Sequence, residues 1–161
     1  MKVTIAQINT INGDIAGNTA KIVSAIERAK EQGSDLVVFP ELVTHGYTSQ
    51  DWFQDADIIE QAHEPMAKIV AATEGIAAIV GTIRRNPDAN GRRLFNTAAV
   101  ISDGKLIAEV DKSLLPEYDV FDDPRYFEPD ESPNGVVEIA GRDGTTRRIG
   151  VVVCEDFWND K

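Results

Sequence analysis

The run Leu36-Val37-Val38-Phe39, closed by Pro40-Glu41, decides the fold. It is continuously apolar and β-branched at Val37 and Val38, as expected of a sheet strand covered on both faces, and Pro40 and Glu41 break it. Upstream, Val3 to Ile8 reads as a first strand, and Asn18 is expected to cap a helix running to about Gln32. Ile22, Ile26 and Ala29 recur on one face of that helix, Glu27, Lys30 and Glu31 lie away from it, and Gly33-Ser34-Asp35 ends it. Strand, helix, strand in this order predicts a right-handed βαβ unit.

Downstream, a polar loop reaches about Asp57 and a second helix covers roughly Ile58 to Thr73, with an interruption near Pro65 and with Met66, Ile69 and Val70 inward. Ile76 to Arg84, Leu94 to Ile101 and Lys105 to Val110 read as three strands joined by turns at Asn86-Pro87-Asp88-Ala89-Asn90-Gly91 and Asp103-Gly104. These connections leave no room for crossover helices, so the three strands form a meander. Asp111 to Glu131 is irregular and acidic, yet dense in aromatics at Tyr118, Phe121, Tyr126 and Phe127, which favours a packed, functional loop. Val136 to Ile139, a turn at Arg142-Asp143-Gly144, and Arg148 to Val153 make a closing hairpin that delivers Cys154. The class is α/β with a mixed sheet.

The 161 residues fit one domain, 42% hydrophobic, with a formal charge of -11 and a single cysteine. Without a basic stripe, nucleic acid is excluded as a partner. No apolar run approaches the length of a membrane helix, and the N-terminal run is too short for a signal peptide. One cysteine allows no internal disulfide, which fits a reducing cytoplasm as the expected location. Two separated histidines, His45 and His63, match no usual metal spacing, and neither a Walker motif nor a dinucleotide fingerprint is present. The chain thus has no nucleotide site of its own in view.

Three residues stand just past inferred strands: Glu41, Lys112 and Cys154. Together they offer a sulfur nucleophile, a proton acceptor and a cation for a developing oxyanion, which is what amide hydrolysis through a thiol requires. Taken singly, each has a plainer reading. Cys154 after three valines is equally a small buried hydrophobe, Glu41 a cap and Lys112 a surface charge. His45, in the loop after Glu41, leaves a Cys-His pairing open, and His63 reads as a surface or interface residue.

The motifs Phe39-Pro40-Glu41, Asp111-Lys112-Ser113-Leu114-Leu115-Pro116 and Val153-Cys154-Glu155-Asp156 resemble the nitrilase superfamily with its Glu-Lys-Cys site. More narrowly, Gly13 to Asn18, Gly46-Tyr47, Leu115-Pro116-Glu117-Tyr118, Val120-Phe121-Asp122, Arg125-Tyr126-Phe127 and Cys154 to Trp158 are similar to the N-terminal glutaminase domains of glutamine-dependent NAD synthetases. The resemblance implies a four-layer α-β-β-α sandwich of which residues 1–161 are the N-terminal part. The remaining strands and helices, and the ATP-dependent synthetase domain, are then expected beyond Lys161.

It further implies L-glutamine as substrate, Glu41 as general base, Lys112 as stabiliser of the tetrahedral intermediate and Cys154 as nucleophile. Tyr47, Tyr118 and Glu155 match positions that hold or orient the glutamine, and the Glu155 N–H matches a second oxyanion donor. No cofactor is implied for this step, since ATP and Mg belong to the synthetase domain, and the complete enzyme is expected to be a homo-oligomer. One departure stands out: Asp123 occupies a position where the family commonly has glutamate, so its hydrogen bond to the lysine or substrate is expected to need a shifted loop. A free-standing amidase or carbamoylase, and a non-catalytic interaction module, remain the alternatives.

Overall fold

A computed structural model describes residues 1–47, 50–88, 90–131 and 135–158. Ala89 of the expected turn and Lys161 therefore lie outside the described residues. Strands β1 (Val3–Ile5), β2 (Leu36–Val38), β3 (Ala77–Arg85), β4 (Leu94–Ser102) and β5 (Lys105–Asp111) form one sheet in sequence order. The pairs β1–β2 and β2–β3 are parallel, while β3–β4 and β4–β5 are antiparallel. A separate hairpin joins β6 (Val136–Ala140) to β7 (Thr146–Gly150). The βαβ unit, the meander and the closing hairpin are all present.

Helix α1 (Ile15–Glu31) buries Ile15, Asn18, Thr19, Ile22, Ile26 and Ala29 along one stripe. Its cap is Asp14, whose carboxylate accepts from the Gly17 N–H at 2.9 Å, and not Asn18 as the sequence suggests. Asn18 lies one turn inside the helix, fully buried. Its side chain accepts from Ile11 N at 3.0 Å and donates to Ile11 O at 2.8 Å and Thr44 O at 3.3 Å, so it pins two loops. At the other end, Gly33 adopts φ +72°, and the Gly33 and Ser34 N–H groups bond back to Lys30 O and Ala29 O, closing the helix in a Schellman turn.

The expected second helix is broken into α2 (Ala56–Glu60), a short 3-10 turn, and α3 (Glu64–Ala72). Pro65 explains the break: it lacks an N–H to continue a helix but is well suited to the first turn of a new one.

The alternation of side chains across the sheet separates two cores. Val37, Ala78, Val80, Ala99 and Ile101 pack with Ile22 and Ile26 of α1 and Ile69 of α3. Leu36, Ala77, Ala98, Val100 and Val110 pack with Val137 and Ile139 of β6 and with Val151 and Val153. The described residues thus build three layers in the order helices, sheet, hairpin. Burying each of Ile22, Ile26 and Ile69 stabilises the helix layer by about 2 kcal/mol.

Two strands end sooner than their sequences suggest. β1 stops at Ile5, and β7 stops at Gly150, opposite Val136 where its partner begins. One further bond, Val151 N to Gly135 O at 2.6 Å, follows, and the chain then runs extended to Cys154, with Val152 54% exposed between buried Val151 and Val153. The apolar valines are there to cover the sheet and not to extend the hairpin.

Candidate active site

The sheet topology places Glu41 and Lys112 at the same end. β5 is antiparallel to β4, which is antiparallel to β3, so β5 runs the same way as β2 and both end where these residues begin. To meet Lys112, the turn carrying Glu41 has to cross β3, and it does so over Gly81. A Cβ there would lie 2.3 Å from Pro40 O and 2.7 Å from the Glu41 Cα, so only glycine admits this approach. The crossing is fastened by Phe39 N to Ile79 O at 2.9 Å and by the Thr44 hydroxyl to that of Thr82 at 2.9 Å.

Lys112 is wholly buried, which excludes its reading as a surface charge. Its Nζ donates to Glu41 Oε1 at 2.8 Å and to Asp123 Oδ2 at 2.7 Å. Burial alone would lower its pKa, but the Glu41 charge and the hydrogen bonds to Asp123 and Glu41 outweigh that and raise it, so it stays an ammonium. Asp123 is pushed up by burial and held back by Lys112. Although aspartate is one methylene shorter than glutamate, the short 3-10 turn Asp123–Arg125, with Asp123 N bonded to Pro116 O at 3.2 Å, delivers its carboxylate to the lysine at ordinary distance. Behind Lys112, Asp111 is held by Arg84 and by the Thr97 hydroxyl at 2.5 Å, which fixes the end of β5.

Cys154 is exposed and adopts φ +48°, a left-handed conformation that is costly for a residue with a Cβ. Its thiol lies close enough to Glu41 and Lys112 for both charges to act on it. Partial withdrawal from water and the Glu41 charge push the thiol pKa up, against the opposing pull of Lys112. The lysine by itself therefore does not set up a resting thiolate at neutral pH, so a base is needed to draw off the proton before this sulfur can act as a nucleophile.

Around this centre stand the other expected residues. The Tyr118 hydroxyl donates to Glu155 Oε2 at 2.6 Å, and that bond is the main cause of its raised pKa. Tyr47 has its phenol pushed up by burial and then by the charges of Glu41, Asp123 and Cys154, which marks it as facing the same cleft. Phe121 bridges the two tyrosines, at 6.4 Å from the Tyr47 ring and 5.4 Å from that of Tyr118.

His45 is turned into the core, 1% exposed, its Nδ1 sharing a 2.6 Å hydrogen bond with the Thr44 hydroxyl. Burial lowers its pKa to about 4, so it is neutral at neutral pH and packs against Phe53 as a core residue. His63 is exposed. Among the described residues no cluster has the makings of a metal site, and no helix is long and apolar enough to cross a membrane.

Two further residues belong to the site. Asn96, buried in β4, donates from Nδ2 to Glu41 Oε1 at 2.6 Å, and its backbone carbonyl accepts from Lys112 N at 2.8 Å. An amide inside an apolar strand is unfavourable without a partner, and that misfit was the signal in the sequence. Asp156 accepts from the Ser113 and Leu114 N–H groups at 3.1 and 2.7 Å through Oδ1, and from Val153 N at 3.2 Å through Oδ2. It clamps the segment after Lys112 to the segment before Cys154. Its place in the Val153-Cys154-Glu155-Asp156 motif was visible in the sequence, but its bonds to Ser113 and Leu114 were not.

The chain as a whole has counterparts among known proteins. The carbon-nitrogen hydrolase family profile matches residues 2–161. A glutamine-dependent NAD(+) synthetase from Thermotoga maritima is 37% identical over 99% of this chain and 26% of its own length. One from Xanthomonas campestris is 35% identical over 98% of this chain and 27% of its own length. The chain thus spans about a quarter of these relatives.

Among solved structures, a glutamine-dependent NAD+ synthetase from Acinetobacter baumannii, in complex with ADP, superposes with a TM-score of 0.83 at 31% identity, covering 97% of this chain and 28% of that one. An amidase from Nesterenkonia sp. shares the fold at TM-score 0.79 and 24% identity, over 96% of this chain and 56% of its own. The three layers described here are a partial version of that α-β-β-α fold, and the chain belongs to the carbon-nitrogen hydrolase family.

Proposed function

We propose that this chain carries the glutamine-hydrolysing chemistry of a glutamine-dependent NAD synthetase. The observation that carries the reading is the buried Lys112 ammonium bridging Glu41 and Asp123, with the Cys154 thiol within reach of the Glu41 and Lys112 charges. The names of the relatives supply the substrate.

As the Cys154 sulfur forms its bond to the side-chain amide carbon of L-glutamine, the thiol proton passes to Glu41. The carbonyl oxygen becomes an oxyanion that Lys112 and the Glu155 N–H stabilise. Glu41 then gives its proton to the amide nitrogen, the C–N bond breaks, and ammonia leaves a glutamyl thioester. In the second half, Glu41 takes a proton from water, the resulting hydroxyl attacks the thioester carbon, and the thiolate departs and is reprotonated as glutamate is released. The protonated resting thiol fits this scheme, because the proton then serves as the one later delivered to nitrogen.

Glu155, held by Tyr118, offers a fixed carboxylate to the glutamine α-ammonium, and Tyr47 and Asp123 help to hold the substrate. The ammonia is consumed by ATP-dependent amidation of deamido-NAD at a synthetase domain, where ATP and Mg act.

Intact-mass measurement after incubation with a glutamine-like chloroketone tests the reading. A single adduct, slowed by L-glutamine and lost in Cys154→Ala, is expected. An adduct that persists in Cys154→Ala refutes the nucleophile. Protection by a short aliphatic amide but not by glutamine moves the assignment to a free-standing amidase.

A further inference from the structure

Glu41 has two carboxylate oxygens, and the site treats them differently. Oε1 receives both Lys112 Nζ at 2.8 Å and Asn96 Nδ2 at 2.6 Å. Asn96 is 1% exposed, and among the described residues its own buried Oδ1 has no hydrogen-bond partner. A buried amide that leaves its acceptor stranded in order to aim its donor at a carboxylate is held there against its own solvation preference. The opposite amide orientation would bring Oδ1 against Oε1, acceptor on acceptor, so the Asn96 side chain is set for a Glu41 whose Oε1 never carries a proton. Because the Asn96 carbonyl also holds Lys112 N at 2.8 Å, one residue fixes both donors.

We infer that Asn96 is a positioning residue for Glu41: with Lys112 it saturates Oε1, so that Oε2 is the oxygen that takes the proton from Cys154 and returns it to the leaving group. The inference rests on the reading of Glu41 as general base. Removing the Asn96 donor leaves the carboxylate less well stabilised as an anion and frees Oε1 to compete for the proton.

The test is the pH dependence of the first-order inactivation rate of the whole chain by the glutamine-like chloroketone, with adduct formation at Cys154 followed by mass. The acid limb of this profile reports the protonation of the base that accepts the thiol proton. In Asn96→Leu the limb is expected to move to higher pH by about one unit, a tenfold change in proton affinity. Asn96→Asp, which keeps the shape, is expected to move it further, because it sets a second carboxylate against the first.

A merely structural role lowers the rate by the same factor at every pH and leaves the limb in place, and that result in the shape-preserving Asn96→Asp overturns the inference even if Asn96→Leu fails to fold. Glu41→Gln separates this failure from failure of the function itself. A limb that survives in Glu41→Gln, or a wild-type chain that does not react, sinks the general-base reading and this inference with it. A limb that depends on Glu41 but ignores Asn96 sinks this inference alone.

Discussion

The two halves of the site are held in opposite ways. Glu41 and Lys112 come from a five-stranded sheet covered on both faces, and they sit inside a network that includes Asn96, Asp123, Asp111 and Arg84. Cys154 follows a two-stranded hairpin, in a segment exposed at Val152, Phe157 and Trp158, and it is fastened to the other half by the packing of Val151 and Val153 on the sheet and by the hydrogen bonds of Asp156 and Glu155. The difference separates two physical tasks. Charges that have to stay ionised while shielded from water need a rigid, fully bonded setting, whereas a thiol proposed to attack substrate needs access, which the exposed Cys154 has.

The sheet half is where a substitution should cost most. Lys112→Met removes the ammonium that bridges the Glu41 and Asp123 carboxylates. A loss of about 3–5 kcal/mol is expected in urea unfolding at pH 7, the range for breaking one side of a buried ion pair. The loss should shrink on acidification, because burial raises the Asp123 pKa and, without the lysine to hold it back, this carboxyl can then protonate. Equal losses at pH 7 and pH 5 would show that the carboxylates are not coupled through this lysine.

Next in size is the pH dependence carried by His45. Its folded-state pKa of about 4 lies below the ordinary value of 6.5 because burial disfavours the charged ring. The native state therefore binds fewer protons than the unfolded chain between those limits. The His45 contribution is complete above pH 6.5 and is lost as pH falls toward 4, by about 3 kcal/mol in all. In His45→Gln the fall in stability between pH 6.5 and 4 should be shallower by that amount. An unchanged slope would place the acid sensitivity elsewhere.

The same contrast explains what could be read from the chain before its structure. The sheet half was legible because long apolar runs, glycine turns and the absence of room for crossovers leave few topologies, so the parallel start and the antiparallel meander followed from spacing. Lys112 and Cys154 were ambiguous one at a time, since strand-end residues of those types have common structural uses, and only their joint pattern with Glu41 spoke for a site. What stayed hidden depended on contacts distant in sequence. Asn18 looks like a cap because its two loop partners are invisible locally, and Asp14, four residues earlier, takes that role instead. Gly81 reads as one glycine in a strand until the turn above it is placed. Asp156 makes its bonds to Ser113 and Leu114 across more than forty positions, a separation no local pattern encodes.

Asp156 is also where the two halves can be uncoupled at least cost to the fold. In Asp156→Ala the N–H groups of Ser113, Leu114 and Val153 lose a shared acceptor, but this acid is only partly buried and water can replace part of what is lost, so a stability change of about 1 kcal/mol is expected. The effect on reactivity should be larger and selective. A small haloacetamide needs only an accessible thiol, so its rate at Cys154 should change little. The glutamine-like chloroketone needs sulfur, Glu41 and Lys112 in register, so its rate should fall at least tenfold. Asp156→Asn retains one acceptor oxygen for Ser113 and Leu114 but presents a donor toward Val153 N, so it should recover part of that loss and not all of it. If both reagents slow equally, Asp156 supports the hairpin as a whole, and the alignment of the two halves resides in the packing of Val151 and Val153 on the sheet and in the Tyr118–Glu155 bond.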